Sequence, residues 1–184
     1  MRNNNIKIKY LVFQAKNQNN PEAFGKLYDL YVDKIFRFVR FKVNTDEETQ
    51  DITSNIFLKT WQYLREGKRK IDNFNALIYR IARNCIIDHY RERNKNSVVS
   101  NTEQFEEIIA DRKDAVKELD QKLDLEQIES KLKLLKEEYR EVIILKYING
   151  LTTSEIAKIL DKSKSNIRVL LHRALKTLKE IFHD

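Results

Sequence analysis

Between Lys162 and Lys179 the chain carries six cations, Lys162, Lys164, Arg168, Arg173, Lys176 and Lys179, and no carboxylate. A helix that is merely solvated interleaves Asp or Glu with such residues, so a run of one sign points to a polyanionic partner. The apolar series Ile167, Leu170, Leu171, Ala174, Leu178, Ile181 and Phe182 is spaced by three and four, and it fixes an inner face. Ser165, Val169, His172, Arg173 and Lys176 then fall on the opposite face, with Asn166 and Arg168 on its flanks. These side chains suit base edges in a DNA groove. Either arginine can donate bidentately to guanine, His172 can hydrogen-bond, and Val169 can pack on a thymine methyl. The competing reading is a helical hairpin that packs on another protein.

A second group lies upstream. Arg80, Asn84, Asp88 and Arg91 recur every three or four residues, which puts cations and hydrogen-bonding groups on one helical face. The Asn84 amide offers a donor and an acceptor together, matching the Watson–Crick edge of an extruded base. The segment from Arg65 to Asn73, with Gly67 and the run Lys68, Arg69 and Lys70, reads as a basic loop beside it. Cys85, Asp88 and His89 stand at helical spacing, but Cys85 falls on the inner side and His89 has no nearby ligand set, so neither a nucleophile nor a metal site is expected. No catalytic residue, metal or cofactor is assigned, and His183 at the tail is read as solvent-facing.

The elements that must hold these groups are helices. The chain has 184 residues with only 3 glycines and 1 proline, where average usage would give about 13 and about 9. Turn-rich sandwiches and barrels are thereby disfavoured, and an all-α protein is expected. Gly25, Gly67 and Gly150 lie too far apart to form a phosphate-cradling glycine loop. The net charge of +7 and a pI near 9.3 favour nucleic acid or an anionic surface as partner. No apolar run is long enough for membrane insertion and the asparagine-rich start does not suit a signal peptide, so a cytoplasmic protein is expected. The single cysteine excludes an internal disulfide.

Apolar residues at three- and four-residue steps predict two amphipathic helices between Ala23 and Trp61, broken at Val43 to Glu47, where Asn44, Thr45 and Asp46 offer caps. A third helix runs from about Phe74 to Asn94. Residues 97–120 turn acidic and weakly periodic and read as a linker. Periodicity returns over 121–184: one or two helices stop at Asn149 and Gly150, then comes Thr152 to Leu160, a turn at Asp161 to Ser163, and a last helix from Lys164. Thr152 or Thr153 with Glu155 forms a capping box for the first of this pair, and Ser163 or Ser165 caps the second. The expected architecture is two small helical domains, 8–96 and 121–184, joined by an acidic linker.

Two stretches resemble the bacterial sigma-70 family in its small extracytoplasmic-function (ECF) branch. FGKLYDLYVDKIFRFVRF, DITSNIFLKTWQYL and FNALIYRIARNCIIDHYRER look like its second conserved region, and KEEYREVIILKYINGLTTSEIAKILDKSKSNIRVLLHRALKTL looks like its fourth, a helix-turn-helix. The resemblance implies a promoter-specificity subunit that docks on core RNA polymerase through the β′ clamp helices and the β flap. It implies −35 reading by the C-terminal helix, and −10 reading and melting by the N-terminal domain. By position Asp51, Ser54, Phe57, Leu58 and Trp61 would face the clamp helices, and Tyr79, Arg80 and Asn84 would lie near the −10 element. Phe74 and Tyr79 are the candidates for stacking on captured bases, a contact of about 1 to 3 kcal/mol per base against about 1.4 kcal/mol per DNA stacking step lost. An anti-sigma factor as regulator and a monomeric free state are also implied. The chain departs from the family pattern at Leu77, Ser54, Asn55, Asp161, Lys162 and Leu170. The alternative is a conventional dimeric helix-turn-helix regulator, against which the second basic helix argues.

Overall fold

The computed structural model describes residues 2–67, 70–96, 128 and 130–183. The expected acidic linker, Lys68 and Arg69 lie outside the described residues. The chain divides into two compact units, Met1–Ser97 and Val98–Asp184.

The first unit is built from α1 (Arg2–Asn17), α2 (Pro21–Arg40), α3 (Asp46–Glu66) and α4 (Phe74–Asn96). Each boundary has a chemical cause. Asn20 accepts from the Glu22 and Ala23 amides at 2.9 and 3.1 Å, with Pro21 preset for the first helical position. Thr45 and Glu48 form a reciprocal capping box that starts α3, as the break in periodicity predicts, and Gly67 ends that helix with φ 64 in the left-handed region. The Asn73 side chain accepts from the Ala76 amide at 2.9 Å and starts α4. Leu27, Tyr31, Ile35 and Phe38 of α2 meet Ile56 and Leu64 of α3 and Ile78 and Tyr79 of α4 in a core where each is essentially inaccessible. Such side chains stabilise by roughly 1.5 to 3 kcal/mol each. Tyr31 donates to Asn75, and the Tyr90 hydroxyl donates to the Lys42 carbonyl at 2.6 Å, tying both ends of α4 to α2 and the turn after it.

Helix α1 was not expected. Its Leu11, Val12 and Ala15 are buried at helical spacing against the other helices, a signal masked by the asparagines and lysines around them.

In the second unit a helical stretch at 130–133 precedes α5 (Glu137–Ile143), which runs into a π-helical turn (Ile144–Ile148). Asn149 donates to the Ile144 carbonyl at 3.0 Å and closes that turn, and Gly150 leaves it with φ 68. Helices α6 (Thr153–Leu160) and α7 (Lys164–His183) follow. Thr152 and Glu155 make the expected capping box. Asp161 occupies the left-handed conformation, φ 53, which a short polar side chain tolerates. Ser163, rather than Ser165, accepts from the Asn166 amide at 3.1 Å and starts α7. Val142 to Leu145, Ile156, Ile159, Ile167 and Ala174 form the core, with Arg140 buried at its edge and paired to Glu137 at 3.0 Å.

Candidate nucleic-acid interface and docking surface

Helix α7 takes its orientation from burial of Ile167, Leu170, Leu171 and Ala174. Leu170 thus fills a core position. Ser165, Asn166, Arg168, Val169, His172, Arg173 and Lys176 are all exposed. Val169, a β-branched apolar residue amid cations, is 48% exposed. Lys162 is drawn aside, its ammonium 2.9 Å from the Glu138 carboxylate, so the helix-turn-helix field rests chiefly on Lys164, Arg168, Arg173, Lys176 and Lys179. The inner series expected for this helix fails at its end. Leu178 and Ile181 are only partly covered and Phe182 is 51% exposed, with the Lys131 ammonium 6.0 Å from its ring centre, because the buried stripe ends at Ala174 and the last two turns pass its edge.

On α4, Arg80, Asn84 and Arg91 are exposed along one side. Asp88, on the same side, is partly neutralised by Lys59 at 3.6 Å. The two expected stacking rings are elsewhere. Phe74 is buried with its ring edge-on to Tyr31 at 5.1 Å, and Tyr79 is wholly buried edge-on to Phe38 at 5.3 Å. Neither offers a ring face to a base, which corrects the stacking assignment. The physical reason is that α4 packs against α1, α2 and α3, so its first half is covered on several sides.

Glu48 ties the turn between α2 and α3 to the C-terminal half of α4. Its carboxylate accepts from the Asn44 and Thr45 amides at 3.1 Å each, and lies 3.0 Å from Arg93 and 3.3 Å from His89. Burial pushes the Glu48 carboxyl up, but the two amides, then Arg93 and His89, outweigh it and hold the carboxyl below the ordinary range. Burial raises the Cys85 thiol, with Lys59 opposing and Asp88 adding to the rise, and the side chain is buried. Among the described residues no group of three or more His, Cys, Asp or Glu side chains could hold a metal ion.

The candidate docking residues divide. Asp51, Ser54 and Leu58 are exposed on α3, Leu58 by 56%, and Trp61 is half-buried with its ring 4.9 Å from Phe24. Phe57 is buried, with its ring 4.6 Å from that of Tyr28, a correction: it adjoins Ile56 on the inner face and is not on the exposed surface. Tyr28, itself exposed, and Phe24 therefore extend the apolar patch onto α2. Both continue the three- and four-residue apolar spacing of α2, yet Tyr28 is exposed and Phe24 half-buried.

Residues 27–96 match the family model for sigma-70 region 2, and residues 125–178 match that for sigma-70 region 4. The chain is 30% identical to the ECF RNA polymerase sigma factor SigW of Bacillus subtilis over 96% of its length and 97% of the relative's. It is 27% identical over 89% of its length to the ECF RNA polymerase sigma factor BldN of Streptomyces coelicolor, spanning 61% of that longer protein. Among solved structures, CnrH in complex with the cytosolic domain of CnrY matches with a TM-score of 0.72 at 23% identity, covering 96% of this chain and 97% of that one. The sigma factor RpoE in complex with the anti-sigma factor NepR from Bartonella quintana matches at 0.66 and 20%, covering 87% and 96%. Both likenesses are of fold.

Proposed function

The chain belongs to the ECF branch of the sigma-70 family, and on that premise we propose that it is the promoter-specificity subunit that joins core RNA polymerase and divides two tasks between its units. The second unit reads the −35 duplex through Ser165, Asn166, Arg168, Val169, His172, Arg173 and Lys176. The first captures the opened −10 strand with Arg80 and Asn84, helped by the basic sequence between α3 and α4; Arg65 and Glu66, expected in that loop, belong to the end of α3. Strand opening then rests on phosphate contacts and hydrogen bonds to base edges, with no catalytic group and no cofactor. Asp51, Ser54, Leu58 and Trp61, with Tyr28 beside them, form the surface for the β′ clamp helices, and the second unit meets the β flap. An apolar patch rimmed by polar residues suits such an interface.

The observation that carries the reading is α7: seven candidate reading residues exposed together, opposite an apolar stripe used up in its own core. A subunit of this kind acts in the cytoplasm, where polymerase works. It is monomeric when free and is restrained by an anti-sigma factor, as the complex of the RpoE relative suggests. Two small DNA faces gain effective concentration only when one scaffold fixes both, so the free protein should bind promoter duplex weakly. Reconstituted transcription on a promoter library tests this. Core enzyme should gain site-selective initiation when the protein is added, and equal output with and without it would refute the proposal.

A further inference from the structure

Helix α1 is apolar on two opposite sides. Leu11, Val12 and Ala15 are buried in the first unit, while Ile6, Tyr10 and Phe13 are 67, 61 and 52% exposed. At about 100° per residue these three lie within about 60° of one another, facing away from the buried side. Scattered apolar residues on a surface need no explanation, but a stripe of three large ones at helical spacing, each more than half exposed, marks an interaction site. Tyr10 is steadied within it by the Gln14 amide, which donates to its hydroxyl at 3.1 Å. None of the residues proposed for DNA or polymerase contact belongs to this helix.

The rim of the stripe chooses its occupant. Lys7 and Lys9 are exposed and flank it on either side, and the whole of α1, RNNNIKIKYLVFQAKN, contains no Asp or Glu. A second copy laid antiparallel would bring lysines against lysines. Duplex DNA would meet three apolar side chains where it needs donors. We infer that the stripe takes an acidic amphipathic helix of a partner protein, whose apolar residues at i, i+3, i+4 and i+7 cover Ile6, Tyr10 and Phe13 while carboxylates on each side face Lys7 and Lys9. Apolar burial supplies the affinity and the charge rim sets the register and excludes basic partners.

The test uses the full chain and two fluorescein-labelled amphipathic peptides, with the same leucine face and flanks of Glu or of Lys. Fluorescence anisotropy should show the Glu-flanked peptide binding at least about tenfold tighter than the Lys-flanked one, with Tyr10→Ser plus Phe13→Ser removing at least about tenfold of that affinity. Lys7→Glu plus Lys9→Glu should invert the preference between the peptides. All four positions are exposed, so thermal melting and α7-dependent promoter binding should not change. Equal binding of the two peptides, or binding indifferent to the Tyr10 and Phe13 substitutions, overturns the inference. So does a concentration-dependent dimer, or adsorption to phosphatidylglycerol vesicles, that those substitutions abolish. A Glu-flanked peptide that binds only after Glu103→Gln, Glu106→Gln and Glu107→Gln overturns it as well, naming the chain's own acidic segment as the occupant.

Discussion

Helices α4 and α7 are both basic, and both present polar side chains to solvent, but they stand in their units differently. Helix α7 buries a single stripe, Ile167, Leu170, Leu171 and Ala174, and leaves a broad outer surface from Ser165 to Lys176. Helix α4 is packed by three neighbours and buries Ala76, Leu77, Ile78 and Tyr79 in succession, so that Arg80, Asn84 and Arg91 are what remains outside. A helix at the edge of a unit can enter a groove, whereas a helix in the middle offers only a narrow ridge. The difference fits the proposed division: duplex reading needs a whole helical face, and holding one extruded base needs a few fixed polar groups.

The largest expected effect breaks the comparison at its buried side. Tyr79→Ala removes a fully covered ring and should cost the first unit about 3 to 5 kcal/mol, while exposed Asn84→Ala should stay within about 0.5 kcal/mol. Hydrogen exchange of the α4 amides in the intact chain measures both. A Tyr79→Ala protein as protected as the wild type would show that the ring is not part of the core and reopen its stacking role.

Next in size are the reading residues. Arg168→Ala or Arg173→Ala should cost about 1 to 3 kcal/mol at one base position and relax the preference there, whereas Lys176→Ala should weaken all sequences alike and lower the salt slope by about one. Selection of holoenzyme binding sites from randomised −35 elements separates these outcomes. Uniform loss in all three variants would reduce α7 to a phosphate-binding helix.

A smaller effect tests how the helix-turn-helix is held. Thr152→Ala removes the capping box of α6 and should cost about 1 kcal/mol, visible as faster exchange of α6 amides with those of α3 unchanged. Glu48 should contribute fully at neutral pH and progressively less in acid. Its carboxyl is held below the ordinary range, so the unfolded chain takes up its proton first as pH falls. The contribution is complete above the ordinary glutamate value of about 4.3 and is lost as pH drops through the lower folded value. Glu48→Gln should therefore flatten the acid limb of the first unit's stability curve, read by urea titration across pH 2 to about 6.

Much of this architecture is legible in the sequence because one period governs it. The α7 face follows from Ile167, Leu171 and Ala174 alone, and the capping box at Thr152 is visible as local chemistry, whereas at the start of α3 the sequence offers Asn44, Thr45 and Asp46 as caps and the structure chooses Thr45. What stays hidden depends on neighbours distant in the chain. Periodicity marks Phe74 and Tyr79 as candidates for either core or site, and only the packing of α4 against Tyr31 and Phe38 decides for the core. Phe57 is lost to the docking surface for the same reason, covered by Tyr28 from another helix. Helix α1 escapes notice because its polar residues dilute a short buried stripe, and the π turn at Ile144–Ile148 escapes because its period is not 3.6.

The division of labour between the two units is tested most directly by permanganate footprinting of holoenzyme carrying Asn84→Ala or Arg168→Ala, on duplex promoters and on promoters with a premelted −10 bubble. Asn84→Ala should leave closed-complex formation intact, slow the appearance of reactive thymines on duplex, and lose most of that defect on the bubble, where unpairing no longer costs energy. Arg168→Ala should instead raise the holoenzyme concentration needed on both templates and leave opening at saturation unchanged. If both variants fail at the same step, or if Asn84→Ala abolishes polymerase binding, the two units do not divide duplex reading from strand opening.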